Sequence, residues 1–219
     1  MQDFETEEQQ VEAVKKWLKE NASSLLIGLA IGGFSLGGWN FYQQTQYQHG
    51  VEASDMYVAL VAQVEASSAS ELDLASADKL QAGYADTPYA ALSAMAVAKH
   101  EIAAGNNEQA ASRLQWVVDN AIDEEMVYVA QLRLARLMIA QEEYDRAEAL
   151  LSVKHSAAFD ALYEELKGDM FAAKGELEQA RIAYDKAIAS GNSSHWLQLK
   201  RQDLGSSEFN QSESIEPAA

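Results

Sequence analysis

Cysteine is absent from the 219 residues, which excludes disulfide staples, thiolate zinc sites, a cysteine nucleophile and a lipoprotein anchor. Proline is nearly absent, with Pro88 and Pro217 the only two, so little along the chain would interrupt a helix. Basic residues are scarce: 16 Lys and Arg stand against 34 Asp and Glu, for a formal charge of -18. A surface this negative repels phosphate backbones, whose binding needs cations to displace counterions, and this argues against nucleic acid as a partner. The same self-repulsion keeps an exposed domain in solution. The four histidines, His49, His100, His155 and His195, show no paired-ligand spacing. The acidic doublets Glu124-Glu125, Glu142-Glu143 and Glu164-Glu165 read as solvated faces. Walker loops, dinucleotide glycine patterns and nucleophile elbows are missing. The expectation is a protein without a catalytic centre, cofactor site or metal site.

One further absence is local. Between Glu20 and Glu52 there is no Asp, Glu, Lys or Arg, and residues 23–42 read SSLLIGLAIGGFSLGGWNFY. About 20 such residues, rising roughly 1.5 Å each in a helix, cover the ~30 Å hydrocarbon core of a bilayer. Trp17 lies on one flank, and Trp39, Phe41 and Tyr42 lie on the other, so aromatic rings fall at both headgroup levels. Glycine is tolerated in such a helix because unwinding would expose peptide groups to hydrocarbon. A cleavable signal peptide, with 25–36 as its apolar core and a cut near Gly37, is the rival. The preceding leader holds Asp3, Glu5, Glu7, Glu8, Glu12 and Glu20, unlike a short basic n-region. The reading is therefore an uncleaved anchor. Lys15, Lys16 and Lys19 precede the span and the next basic residue is Lys79, which keeps the N-terminus cytoplasmic and exports the rest.

Within the span, Gly28, Gly32 and Ser35 share one helix face, and Ala30, Gly33 and Gly37 another. Each is a small-xxx-small pattern that lets a second helix approach closely. Val11, Val14 and Leu18 recur at helical spacing before it, as an amphipathic segment that lies on the headgroups or extends the membrane helix.

Beyond Tyr42 the chain reads as all-α. Helices are expected around 51–66 and 71–84, split by Ser67-Ser68-Ala69-Ser70, with Thr87-Pro88 as an N-cap and first turn. Three later segments align: AKHEIAAGNNEQAASRLQWV from Ala98, ARLMIAQEEYDRAEALLSVK from Ala135 and GDMFAAKGELEQARIAYDKA from Gly168. In each, a small residue is followed twelve positions later by another: Ala98 and Ala110, Ala135 and Ala147, Gly168 and Ala180. Polar turns lie between them, and Leu114, Leu151 or Tyr184 sits four residues beyond the second. Small residues facing each other across an antiparallel helix pair would allow close contact. The steps of 37 and 33 residues are similar to the tetratricopeptide repeat, a helix-turn-helix unit of about 34 residues. The usual Trp-Leu-Gly triplet is missing, and Ile122, Phe159 and Asn192 stand where a proline commonly ends each unit. An irregular helical bundle is the plainer alternative. Trp196, Leu197, Lys200 and Leu204 form an amphipathic stretch suited to capping the array. The expected organisation is a cytoplasmic segment 1–22, a transmembrane helix 23–42, a periplasmic repeat domain 43–204 and a disordered acidic tail 205–219.

This organisation, with VEAVKKWLKEN before a glycine-rich span ending in Gly-Trp, then YAALSAMAVAK and LRLARL in a helical-repeat domain, resembles the YfgM family of ancillary SecYEG translocon subunits. The resemblance implies a single-pass protein of the bacterial inner membrane, beside the translocon. Its periplasmic repeats would help pass exported polypeptides to chaperones, notably a PpiD-type partner. The residues alone reach an anchored helical-repeat scaffold. They leave open a scaffold for another envelope complex and an organelle import receptor with cytosolic repeats.

Overall fold

The computed structural model describes residues 7–66 and 74–213, and among these the backbone forms helices and no strand. The turn expected at 67–70 and the end of the tail, 214–219, lie outside the described residues. The chain divides into two units, Met1–Glu52 and Ala53–Ala219.

The described residues of the first unit, 7–52, lie within helix α1, which runs unbroken over Glu7–Ala66. The sequence had a separate helix beginning near residue 51. The structure joins it to the membrane segment, because the connecting QQTQYQHG contains good helix formers, no proline and a single glycine. The apolar side chains in this unit point outward all round: Leu29 is 76% and Phe34 83% exposed. A helix apolar on every side and buried by nothing among the described residues is matched to lipid rather than water. It holds an 18-residue window of mean hydropathy 1.4 and is long and apolar enough to cross a membrane. Polar side chains toward its ends bond back to the helix, Asn21 Nδ2 donating to the Trp17 carbonyl (2.9 Å) and Thr45 Oγ1 to that of Phe41 (3.0 Å).

The second unit begins with the end of α1 and continues through α2 (Ala75–Gly83), α3 (Pro88–Ala103), α4 (Asn107–Asn120), α5 (Glu124–Ala140), α6 (Tyr144–Leu151), α7 (Asp160–Ala173), α8 (Leu177–Ala189) and α9 (His195–Glu213). Pro88 opens α3 as expected, but the Thr87 hydroxyl does not cap it. It donates backward to the Tyr84 carbonyl at 2.7 Å.

The short connections from α3 to α4, α5 to α6 and α7 to α8 make three helical hairpins. Each first helix ends in the same left-handed turn, at Gly105 (φ 81°), Glu142 (φ 62°) and Gly175 (φ 78°). In each, the left-handed residue donates three positions back, and the next residue five back: Gly105 to Ile102 and Asn106 to Glu101, Glu142 to Ile139 and Glu143 to Met138, Gly175 to Ala172 and Glu176 to Phe171. These are Schellman closures, which satisfy carbonyls the helix end would leave bare. Gly191 repeats the geometry after α8.

One core runs from α3 to α7, through Ala98, Leu114, Ala135, Met138, Leu151 and Tyr163. A second joins α8 to α9 through Tyr184, Leu197 and Leu204. Leu60, Ala77 and Val97 form a third, seating the end of α1 against α2 and α3. Helix α9 continues to Glu213, into the segment expected as a disordered tail. A helix already fixed by Leu197 and Leu204 extends at one hydrogen bond per residue, without a new nucleation cost.

Candidate interaction surfaces

Two surfaces offer contact with other molecules, one on the membrane helix and one on the hairpins. On the membrane helix, Gly28, Gly32, Gly33 and Gly37 leave open space beside them. A Cβ built on any of the four would meet nothing within 4 Å. Both small-residue faces are thus free to take the backbone of a neighbouring helix. Trp17, Trp39 and Tyr42 are exposed, and the Trp39 and Tyr42 rings lie 6.3 Å apart at a tilt. Their amphipathic rings suit the headgroup level.

In the hairpins, Ala98, Ala110, Ala135, Ala147 and Ala180 are all buried, as is Gly168. The pairing at Gly168 differs from the small-against-small contact that the spacing suggested. A Cβ there would overlap Cδ1 and Cε1 of the Tyr184 ring, so Tyr184, not Ala180, occupies the space the glycine vacates. The other two hairpins have Ala with Leu at these positions, and the third has Gly with Tyr. The smaller residue compensates the larger ring.

The Tyr184 hydroxyl donates to Asp169 Oδ1 (2.9 Å), and Lys200 from α9 donates to both oxygens of Asp169 (2.8 and 2.9 Å) and to Glu165 (2.9 Å). Asn192 donates to the other oxygen of Glu165 at 2.7 Å. Burial pulls the Lys200 pKa down, but the hydrogen bonds and charges of Asp169 and Glu165 outweigh it and hold the ammonium above its ordinary range. Burial, then the nearby Asp169 charge, raises the Tyr184 hydroxyl. The group is a polar clasp holding the end helix on α7 and α8.

A second polar contact ties α5 to α7. Tyr163 is fully buried, its hydroxyl donates to Gln131 Oε1 at 2.7 Å, and the His155 ring stacks on it at 3.8 Å. Burial pushes this hydroxyl up to about 12. Among the described residues, no three His, Asp or Glu side chains group as they would to hold a metal ion.

Sequence reasoning missed a groove of about 460 Å³ between α3 and α5, lined by Met95, Ile102, Leu137 and Ala140 with Lys99, Arg133 and Arg136 at its edge. A signal for it was present: the residue after each small position reads Lys99, Arg136 and Asp169, two cations and then the anion that Lys200 neutralises.

Residues 15–206 match the family model described as "Tetratricopeptide repeat-like domain". The chain is 30% identical to the ancillary SecYEG translocon subunit of Escherichia coli K12 over 207 residues, 93% of this chain and 99% of that protein. It belongs to the YfgM family. Other members similar to it are the ancillary SecYEG translocon subunits of Haemophilus influenzae, 25% identical over 85% of this chain and 90% of that one, and of Neisseria gonorrhoeae, 27% identical over 83% and 87%. No solved structure matches the chain. Family membership joins the apolar helix and the hairpins into one design, since the match to the Escherichia coli member extends over nearly the full length of both chains.

Proposed function

We propose that this chain is a non-enzymatic adaptor of the bacterial inner membrane that associates with the SecYEG translocon. The observation carrying the reading is the near full-length correspondence with proteins named as ancillary subunits of that translocon, on a chain whose exposed apolar helix precedes a repeat array. The division of the chain follows: 1–22 in the cytoplasm, 23–42 in the bilayer, and a repeat domain from 43 to 204 in the periplasm. Three lysines before the span and none until Lys79 support that orientation. In this arrangement the open glycine faces of α1 seat the protein beside a translocon helix. The array of hairpins presents the extended surface that helical repeats use for partners. That surface helps pass an emerging polypeptide to periplasmic chaperones, and the family resemblance supplies a PpiD-type chaperone as the partner.

Purification of the tagged full-length chain in mild detergent, followed by mass spectrometry, tests this. Subunits of the translocon and one membrane-anchored periplasmic chaperone are expected above the background of an unrelated single-pass control. Recovery of a different envelope complex, with the translocon at background, would overturn it.

A further inference from the structure

The groove between α3 and α5 gathers three cations around one apolar floor, whereas the other basic residues of the repeat unit that show no ion pair among the described residues, Lys79 and Lys154, stand apart from it. Every basic residue on α4, α6, α7, α8 and α9 lies in an ion pair within the chain: Arg113 with Asp78, Arg146 with Glu143, Lys167 and Lys186 with Glu164, Arg181 with Glu178, Lys200 with Asp169, and Arg201 with Asp185. Lys99, Arg133 and Arg136 have no such partner among the described residues, and all three are exposed on first helices of adjacent hairpins. They rim an apolar floor that includes Ile102, a side chain still 42% exposed, beside Met95, Leu137 and Ala140.

We infer that this groove binds an acidic polypeptide segment that inserts an apolar side chain between α3 and α5 while its carboxylates meet Lys99, Arg133 and Arg136. Charge complementarity selects the occupant. With a formal charge of -18 overall, the chain repels anions at long range, so three uncompensated cations around an apolar floor form a local inversion of sign. Guanidinium groups present forked donors that match carboxylates in two-bond geometry. The apolar floor supplies the area that the charges alone would not, since exposed ion pairs contribute little by themselves. The third hairpin shows the converse pattern. There the residue equivalent to Lys99 and Arg136 is Asp169, and the chain itself provides the opposite charge through Lys200. The inference rests on the reading of the repeats as the partner-binding part, and names the chemistry of what they bind.

The test uses the full-length chain in detergent micelles and three labelled peptides of one sequence: an apolar Leu and Ile scaffold bearing Glu, the same with Gln, and the same with Lys. Fluorescence anisotropy is expected to rank the Glu peptide first by at least about tenfold, with the preference shrinking at high salt. Non-specific attraction to an acidic protein would rank the Lys peptide first and overturn the inference. The combined Lys99→Gln, Arg133→Gln and Arg136→Gln variant should lose at least about tenfold in affinity for the Glu peptide. Combined Arg146→Gln and Arg181→Gln, removing paired cations elsewhere, should not. The charge-reversed Lys99→Glu, Arg133→Glu and Arg136→Glu variant should prefer the Lys peptide. Equal binding by wild type and the groove variant overturns the inference. So does a gain in peptide binding when 205–219 are removed, which would make the chain's own tail the occupant, or peptide displacement by dimer formation, which would make it a second copy. The groove variant should keep wild-type recovery of the translocon. If wild-type protein binds the Glu peptide but never recovers the translocon, the proposed function fails and the groove stands.

Discussion

At Gly168, glycine's known penalty inside a helix is reversed by its surroundings. Alanine would gain about 1 kcal/mol in helix propensity, but its Cβ would overlap the Tyr184 ring, which the hydrogen bond to Asp169 holds in place. Overpacking of this kind costs about 1–3 kcal/mol, and a Cβ set against the ring itself belongs at the upper end, so Gly168→Ala should lower stability by up to about 2 kcal/mol on balance. Adding Tyr184→Leu recreates the Ala and Leu combination of the other hairpins, and urea midpoints should show the double variant recovering part of the loss. Additive losses would mean that the two side chains do not compete for the same space. The spacing in the sequence showed that positions 98, 135 and 168 are equivalent. It could not show which residue crosses from the second helix, because that depends on how far each hairpin closes. Glu142 poses the opposite problem, a side chain held at φ 62° where two equivalent turns have glycine. Left-handed backbone costs a non-glycine residue about 1–2 kcal/mol, and glycine returns part of that as chain entropy. Glu142→Gly should therefore raise stability by about 0.5–1 kcal/mol, measured by thermal or urea unfolding.

Among the elements, hairpins were legible where turn and small residues recur, and α1 was not. The sequence suggested a membrane segment over 23–42 and a separate helix around 51–66, where the structure has one helix running through Gly50 and the glutamines before it. Without proline or a competing cap, one glycine is too weak to end a helix supported on both sides. The contact of α5 with α7 was also hidden, because Gln131 and Tyr163 look like surface residues in isolation and become a buried pair only once the hairpins stack. That pair sets a pH signature. Tyr163 titrates near 10 in an unfolded chain and at about 12 in the fold. The folded state therefore holds its proton more tightly, and the associated stability is complete below pH 10 and is lost as pH rises towards 12. Lys200, also raised by its partners, adds a loss of the same sign. Urea midpoints should fall across that alkaline window. Tyr163→Phe should be less stable at neutral pH by about 1 kcal/mol, for the lost hydrogen bond to Gln131, yet show a shallower alkaline decline. An unchanged slope would place the loss on other groups.

For the whole molecule, a membrane helix with open small-residue faces is joined to a repeat array bearing one cationic apolar groove. Lipid gives no hydrophobic drive between helices, so contact through Gly28, Gly32, Gly33 and Gly37 depends on geometry. Orientation comes first: a phosphatase that folds only in the periplasm should be active when fused after Ala219, and activity of a cytoplasmic reporter alone at that position would reverse the topology. The roles of the two parts separate in one quantitative co-purification, comparing the native chain with one whose residues 23–42 are replaced by an unrelated membrane helix. Translocon recovery should fall well below wild type while recovery of the periplasmic chaperone is kept. Wild-type levels of both partners after the exchange would show that the glycine faces are passive and that the helix serves only to hold the repeats at the membrane.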